Sequence, residues 1–395
     1  MPGLVFVEDF RTKDNTDDEV IQAAVLAAGP GANILFEPNK QYTLTNQILV
    51  RGFQTLVGNN ATLKRADQTF TFLSIPAQAA SDSLIIDSIP SGWQIGDQLQ
   101  IFTDSLHAHS NSYGDYPVLP NKIKSIEGNK IRLTSSIGKS IDASIEIWPV
   151  RTYVRKVFTI LRGDSINSKS VPFNVVNMNF DGNKEHNDLN FYWNVNSTIF
   201  VRGVGAKIAD CRFYNIPNEN IVGQGIYISN CQARNLNGSF VHLSGIDTIH
   251  EFTQKNSIIS GNFIDSVCLL NTNVTGHSEG CFTTSYNGGF ATIVNNRVYN
   301  CGEAAIGDID APFDIADGGK SEFIITGNIF KNCKSIVADI ANVRTGLTPS
   351  TDIYIANNIF SNCGVNDWTK FTGLKRYVGL KIGENSINDT YWKIQ

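Results

Sequence analysis

Two aspartates stand in closely matching sequence contexts and could form a pair of catalytic carboxyl groups. Asp308 lies in the segment AAIGDI and Asp339 in SIVADI, and each follows a small residue. If these segments are strands of adjacent coils, their backbones lie about 4.8 Å apart. Carboxylates that close repel each other when both are ionised, so one of them tends to keep its proton. An acid beside an anion is what glycoside hydrolysis requires, at about 5 to 5.5 Å for retention and about 6.5 to 9.5 Å for inversion.

Both aspartates belong to a set of strand-like segments with a polar residue at an equivalent position. The segments are STIFVRG, NIVGQG, SFVHL, FTTSY, AAIGDI, SIVADI and VGLKI. Placing the last residue of each segment inward turns the residue before it outward, because side chains alternate along a strand. This predicts one surface column that consists of Arg202, Gln224, His242, Ser285, Asp308, Asp339 and Lys381. A solvated strand face is also polar, so a purely structural column is the alternative.

Further ionisable residues lie close to this column in the sequence. Glu279 and His277 precede FTTSY, and the acidic segment GDIDAPFDIADGG adds Asp310, Asp314 and Asp317 after Asp308. The acidic segment could be a solvated corner, or its oxygens could hold a hard cation such as Ca²⁺. Apart from that calcium, no metal or cofactor is predicted. We assign catalytic roles to Asp308, Asp339, Glu279, His242 and Asp310.

Aromatic side chains could provide platforms for sugar rings, whose apolar faces stack on aromatic rings. Phe191, Tyr192 and Trp193 follow one another, and Tyr286 lies beside the column. Ordinary corner packing is the alternative for all four. The predicted substrate-binding residues are Arg202, Gln224, Ser285, Tyr286, His277, Lys381 and Trp193.

A repeated phrase indicates the architecture that would position these residues. Its form is apolar-x-x-N/C-x-apolar-x-N, and copies begin at Ile208, Ile228, Ile259, Ile293, Ile325 and Ile355, with a weaker one at Val175. A repeat of 20 to 50 residues is typical of a solenoid. The apolar residues recur with period two, as in a strand with one buried face, and Asn or Gly occupies the corners, where left-handed backbone angles are favourable. The prediction is an all-β, right-handed parallel β-helix.

The cysteines follow the same repeat. Cys301, Cys333 and Cys363 occupy the same place in successive copies. Seven cysteines is an odd number, and none lies in a C-x-x-C or a zinc-like cluster. We therefore predict a stacked, buried and reduced row of thiols, since cysteine packs well as a small apolar residue.

The segments before the repeats suggest a cap and an insertion. Thr16 to Glu19 has capping-box spacing, and VIQAAVLAAG from Val20 predicts a short amphipathic helix that covers the open end of the solenoid. A different pattern, with a hairpin turn at Glu127-Gly128-Asn129, predicts a small antiparallel β elaboration. We divide the chain into 1–81 (cap and first coils), 82–150 (insertion) and 151–395 (β-helix body), all within one structural domain.

Composition excludes two classes of partner. The net charge is −5 and no block of Lys or Arg occurs, so neither nucleic acid nor an anionic membrane surface is an expected partner. No stretch approaches the roughly 18 consecutive apolar residues of a membrane helix, and MPGLVFVEDF does not show the basic start and apolar run of a secretory signal.

The opening DFRTKDNTDDEVIQAAVLAAG, followed by ILFEPNKQYTL, is similar to the start of many proteins of the pectate-lyase-like superfamily. The later N-x-F/I-x-N-C units resemble the same superfamily, which includes pectate lyases, polygalacturonases, alginate-modifying enzymes and phage tailspike depolymerases. The polygalacturonase catalytic motifs are not found, and His277-Ser278-Glu279-Gly280 only loosely resembles one of them. The resemblance implies the β-helix fold, a polysaccharide substrate, a location outside the cell or on a virion surface, and a homotrimer as in tailspikes.

Three functions follow from these observations. The first is hydrolysis of an extended glycan by paired carboxyl groups, Asp308 with either Asp339 or Glu279. The second is lytic cleavage or epimerisation of a uronic acid, with His242, Lys381 or Arg202 as the base. The third is a non-catalytic glycan-binding or structural part of a viral tail or surface appendage.

Overall fold

A computed structural model describes most of the chain. The described residues are 3–102, 121–138, 140–141, 152–163, 165–166, 169–170, 172–187, 197–244, 256–269, 280–285, 290–302, 304–309, 320–333, 335–337, 350–363, 378–387 and 390–392.

Two long sheets of mainly parallel strands run side by side through the molecule. The strands of the first sheet are Leu4–Phe6, Asn33–Leu35, Ile48–Val50, Thr55–Val57, Leu161–Gly163, Asn174–Val176, Ile199–Ala209, Ile221–Ser229, Val241–Ser244, Asn256–Ser260, Gly280–Ser285, Phe290–Val294, Ala304–Ile309, Lys320–Thr326, Ser335–Val337, Ser350–Ala356 and Val378–Ile382. The strands of the second sheet are Gln41–Leu44, Thr62–Arg65, Asn179–Asp181, Arg212–Ile216, Gln232–Leu236, Phe263–Val267, Arg297–Cys301, Ile329–Lys331, Ile359–Ser361, Asn385–Ile387 and Thr390–Trp392.

From Ile48 onward, each fully described coil passes through the first sheet twice and the second sheet once. In one coil, Ile221–Ser229 supplies both passages through the first sheet, and Gln232–Leu236 supplies the strand of the second. We call the earlier passage the leading strand and the later one the following strand. Leading strands pair with leading strands of the next coil, and following strands with following strands, in parallel. The predicted all-β parallel β-helix is confirmed.

The interior consists of rows of identical or similar side chains. The isoleucines that begin the repeated phrase pair in register along the following strands, and each is at most 2% exposed. These are Ile208, Ile228, Ile259, Ile293, Ile325 and Ile355. Phenylalanines stack in the same way, with ring centroids 5.0 Å apart for Phe330 and Phe360. Burial of these rows supplies the main free energy of folding.

The corner between the following strand and the second sheet is built from asparagines. A residue with positive φ, such as Asn295 (57°) or Asn357 (58°), turns the chain, and the next residue points inward. Along the described part of the later coils those inward residues form a ladder of Asn262, Asn296, Asn328, Asn358 and Asn385. The Nδ2 of each of the first four donates to the Oδ1 of the next at 2.8 to 3.0 Å, and that of Asn385 donates to the Ile355 oxygen at 3.1 Å, so the buried amides are satisfied.

The predicted row of cysteines is also confirmed. All seven cysteines are free and buried, and Cys333 lies between Cys301 and Cys363, whose thiols it contacts. The Cys301 thiol raises the pKa of Cys333, and burial raises the pKa of Cys281. Thiolates, which are the reactive form, are therefore disfavoured in the folded chain.

We expect the folded protein to be inert to a thiol reagent. In native buffer at pH 8, reaction with 5,5′-dithiobis(2-nitrobenzoate) should be at least about 100-fold slower than in urea, because the thiols are both buried and protonated. In urea all seven should react. One rapidly reacting thiol in the native protein would contradict this packing.

The N-terminal cap forms as predicted. A helix runs from Asp17 to Ala27 and begins with a capping box, in which the Thr16 N–H donates to Glu19 Oε2 at 2.9 Å. Its inward residues, including Val20 and Ile21, join the interior of the coil. A 3-10 turn, Val7–Phe10, precedes this helix and another, Lys184–His186, occurs later. In the described part of the chain, no helix is both long and apolar enough to cross a membrane.

The insertion is a six-stranded antiparallel sheet with its own core. Its strands are Phe70–Phe72, Ser83–Ile85, Gln98–Phe102, Asn121–Glu127, Lys130–Leu133 and Tyr153–Lys156, and a two-stranded pair, Ser165–Ile166 and Lys169–Ser170, follows it. The hairpin turn is at Gly128-Asn129, as predicted. The sheet extends beyond the predicted bounds of 82 and 150, because Phe70–Phe72 and Tyr153–Lys156 pair with each other.

Close stacking of the coils leaves no space for a side chain at Gly223. A Cβ atom there would collide with the backbone oxygen of Val201 on the preceding coil, whereas a Cβ at Gly29 would meet nothing within 4 Å. Gly223→Ala should therefore lower the free energy of unfolding by about 1 to 3 kcal/mol, and Gly29→Ala should leave it almost unchanged. Urea denaturation of both variants tests this, and equal midpoints would refute it.

Candidate functional site

The backbone register of the leading strands defines two rows of residues. In the first row Arg202 pairs with Gln224, and Ser244 pairs with Ser285. Because Gly223 pairs with Leu243, Gln224 lies next to Ser244, and the row is continuous. Residues two apart along a strand share a face. The second row therefore lies two residues earlier on the same strands.

The second row contains the predicted catalytic histidine. Val222, His242 and Thr283 are register partners on three successive coils. The next strand contains a β-bulge: Phe282 pairs with Ile306 and Thr284 with Ile309, so Gly307 and Asp308 together oppose Thr283. Bulges often redirect a side chain next to an active site. Asp308 is thus two coils from His242, about 10 Å between backbones.

His242 is held by a carboxylate that the sequence analysis did not include. Its Nδ1 lies 3.4 Å from Glu219 Oε1, and the two side chains are 6% and 3% exposed. Glu219 stands at the corner before Ile221, and it reaches across to the next coil. A buried carboxylate beside an imidazole favours one orientation of the ring and stabilises its protonated form.

Two hydroxyl groups lie beside this pair. Ser239 Oγ and Thr283 Oγ1 are 3.1 Å apart, and Thr283 Oγ1 also accepts from the Gly280 N–H at 3.0 Å. Since Thr283 donates to the Gly280 oxygen at 3.0 Å, Ser239 is the donor between the two hydroxyls. Thr283, which separates His242 from Asp308, is therefore fixed in one rotamer.

The first row also contains a buried side-chain amide, that of Gln224. Gln224 Nε2 is buried, and no group in the described part of the chain accepts a hydrogen bond from it. A buried donor without an acceptor costs about 1 to 3 kcal/mol. Gln224 Nε2 is therefore a candidate donor to a hydroxyl group of a ligand.

The register corrects two of the predicted positions. His242 lies beside Thr283, and Ser285 beside Ser244, so His242 and Ser285 are not neighbours in one column. Lys381 is not on a leading strand, because it pairs with Tyr354 on the following strands. Hydrogen bonds at the corner, such as the Asn220 N–H to the Ser239 oxygen at 3.1 Å, set the register from the start of each strand. The prediction had aligned the strands by their ends.

The remaining predicted site residues fall outside the described part of the chain. They are Asp339, Glu279, Asp310, Tyr286, His277 and Trp193, together with the acidic residues Asp314 and Asp317 proposed for Ca²⁺. Within the described residues, no three side chains of His, Cys, Asp or Glu come together in a way that could hold a metal ion.

Only comparison with solved structures finds proteins similar to this chain. No protein-family profile matches the chain, and no curated sequence does. The tailspike gp61 of Pseudomonas phage phi297 is 13% identical, with 91% of this chain and 70% of that chain covered and a TM-score of 0.29. The tailspike gp49 of Pseudomonas phage LKA1 is 14% identical, with 88% of this chain and 64% of that chain covered and a TM-score of 0.33.

The exopolygalacturonase from Thermotoga maritima is 10% identical, with 99% of this chain and 93% of that chain covered and a TM-score of 0.42. The LKA1 tailspike is the longer protein, and this chain spans less than two thirds of its length. The fold assignment depends on the sheet topology described above.

Proposed function

We propose that the chain is a polysaccharide-degrading enzyme that binds an extended glycan along the outward face of the leading strands. The observation that supports this most is the buried Glu219–His242 pair, which lies on one face with Thr283 and the bulge at Asp308. General acid–base catalysis uses a positioned side chain, most often histidine, to transfer a proton. Successive coils offer a long face, which suits a repeating polymer better than a small metabolite.

Hydrolysis is the first candidate reaction, with Asp308 and either Asp339 or Glu279 as the carboxyl pair. Asp308 belongs to the leading strand Ala304–Ile309, whereas Asp339 and Glu279 lie outside the described residues. Strands of adjacent coils lie about 4.8 Å apart, so carboxyl groups on neighbouring coils would suit a retaining mechanism. One group would protonate the leaving oxygen while the other forms the bond to the anomeric carbon.

Elimination at a uronic acid is the second candidate, and the Glu219–His242 pair favours it. His242 would take the C5 proton, the C4–O bond would break, and the leaving oxygen would receive a proton from an acid such as Asp308. The product would carry a double bond between C4 and C5. Arg202, which stands next to Gln224 in the first row, is the proposed partner of the substrate carboxylate.

A panel of pectins, algal polysaccharides and bacterial capsules tests both reactions, with and without Ca²⁺. Hydrolysis should give new reducing ends without ultraviolet absorbance, and elimination should give unsaturated products that absorb near 235 nm. Asp308→Asn should reduce turnover while polymer binding is retained. Asp210→Asn is the matched control, because Asp210 is an exposed corner residue with positive φ, where Asn is well tolerated.

Binding without turnover on every polymer would reject the enzyme and leave a glycan-binding appendage. For the assembly we propose a homotrimer on a virion or outside the cell. Light scattering coupled to gel filtration tests the trimer, and a monomeric mass at micromolar concentration would reject it.

A further inference from the structure

A polar cavity lies where the antiparallel insertion meets the coil, beside the starts of the leading strands Ile48–Val50 and Leu161–Gly163. Its volume is about 250 Å³. The residues that shape it come from the coil, from the insertion and from the strand that returns the chain to the coil. They include Asn46, Gln94, Gln98, Lys122, Lys156 and Phe158.

A buried ion pair forms one side of the cavity. Lys156 Nζ lies 2.8 Å from Asp97 Oδ2, and the two side chains are 6% and 5% exposed. Lys156 also donates to Asn46 Oδ1 at 2.6 Å, and Asn46 Nδ2 donates to Asp18 Oδ2 at 3.0 Å. The N-terminal helix, the coil and the insertion are thereby connected by one network. A cavity wall held in this way is already ordered before a ligand arrives, which favours binding.

Another part of the lining is apolar, and Phe158 in it is held by Arg65. The guanidinium of Arg65 lies 4.6 Å from the centroid of the Phe158 ring, and its Nη1 donates to the Phe158 backbone oxygen at 2.6 Å. Ile95 is 67% exposed and lines the same cavity. An aromatic ring and an aliphatic side chain beside amide groups match the two surfaces of a sugar, which has an apolar face and a rim of hydroxyls.

The charges of the lining leave a surplus of one positive charge. Asp97 and Lys156 neutralise each other, and Lys122 is the remaining ionised residue of the lining. Lys122 is exposed and forms no ion pair with any described residue. Its ammonium group is therefore available to an anionic ligand, whereas Gln94 and Gln98 can bind neutral hydroxyls.

We propose that this cavity binds a single uronic acid residue, with the sugar carboxylate paired to Lys122 and the hydroxyls bound by the glutamine amides. The volume suits one sugar ring, since cavities for larger ligands are usually about 300 to 1,000 Å³. The lining does not include Glu219 or His242, and the leading strand Leu161–Gly163 beside it is three coils from the strand of His242, so this proposal stands whether or not His242 acts on a polymer. It would give the protein a second contact with an acidic polysaccharide, which raises the effective affinity.

Titration of methyl β-glucuronide into the full chain, followed by nuclear magnetic resonance or calorimetry, tests the site. Lys122→Gln should weaken binding by at least about tenfold, because it removes a charge-assisted hydrogen bond. Lys124→Gln is the matched control, since Lys124 is exposed on the same strand and the same face but does not line the cavity. Gln94→Ala should also weaken binding, and its exposed side chain leaves the fold intact.

Methyl β-glucoside and acetate separate the two parts of the recognition. We expect both to bind at least about tenfold more weakly than the glucuronide, because the glucoside offers only the hydroxyls and acetate offers only the charge. The proposal is overturned if the glucuronide does not saturate the protein, if either of the other ligands binds as tightly, or if Lys124→Gln weakens binding as much as Lys122→Gln.

Discussion

A His242→Gln variant should turn over its polysaccharide about 10² to 10⁴ times more slowly than the unmodified chain, which is the usual contribution of a general acid–base group. His242 is the one imidazole on the leading-strand face that the structure describes, and Glu219 holds its Nδ1. Glutamine has a similar size and can keep a hydrogen bond to Glu219, but it cannot transfer a proton at neutral pH. Polymer binding and the thermal unfolding temperature should change little.

His186→Gln is the matched control, because His186 is an exposed histidine on a 3-10 turn. It should retain full activity. If His242→Gln does so as well, His242 is structural and elimination by this base is rejected.

Glu219→Gln separates positioning from catalysis. The variant removes the carboxylate charge but keeps an oxygen near His242 Nδ1. Its main effect should be on the pH–rate profile: the limb that reports the histidine should move to lower pH, because the neutral amide no longer stabilises the protonated ring. A lower rate with an unshifted profile would mean that Glu219 only supports the local packing.

The largest effect on stability is expected for Asn328→Ala, at about 3 to 5 kcal/mol of unfolding free energy. Asn328 Oδ1 accepts from the Asn296 N–H at 2.9 Å and from Asn296 Nδ2 at 3.0 Å, and Asn328 Nδ2 donates to the Ile293 oxygen at 2.9 Å. Alanine would leave these buried groups without partners, at about 1 to 3 kcal/mol for each unsatisfied group. Urea denaturation measures the change.

The same coil offers a control at Asn332. This residue has φ of 56° and donates from Nδ2 to Asn300 Oδ1 at 3.0 Å on the exposed surface. Asn332→Gly removes this hydrogen bond and the one that Asn332 Oδ1 accepts from Asn362 Nδ2 at 2.8 Å, yet water can replace both and glycine accepts the backbone angle. It should cost no more than about 1 kcal/mol. Equal losses in the two variants would show that burial of the ladder is not what stabilises the coil.

The sequence predicts the coil well because the signals are local. Period-two apolar residues and a positive-φ Asn, Asp or Gly at the corner define strand, face and turn within one repeat, and the buried row from Ile208 to Ile355 follows them. The bounds of the insertion were not predicted correctly, because the strand pairing that sets them is not local. Phe70–Phe72 pairs with Tyr153–Lys156, about eighty residues later, and nothing in either segment identifies its partner.

The candidate site was predicted only in part, because side-chain alternation determines the face but not the register. Arg202 next to Gln224 was correct. The inward and outward residues of VGLKI alternate in the same way in a following strand as in a leading strand. Lys381 was therefore assigned to a leading strand, although it lies on a following strand. Glu219 was missed because its partner is on the next coil. Its acidic side chain directly before a leading strand, in the sequence PNENIV, is the signal that could have identified it.

The unequal lengths of the coils have an evolutionary consequence. The step from Ile208 to Ile228 contains almost nothing but strand and corner, whereas the step from Ile228 to Ile259 is longer, yet both pairs lie in register. Extra residues therefore leave the ladder and the isoleucine row unchanged. New segments can be gained, lost or exchanged between strands without redesign of the interior, so a lineage of such proteins could change its recognition surface quickly while its scaffold is inherited intact.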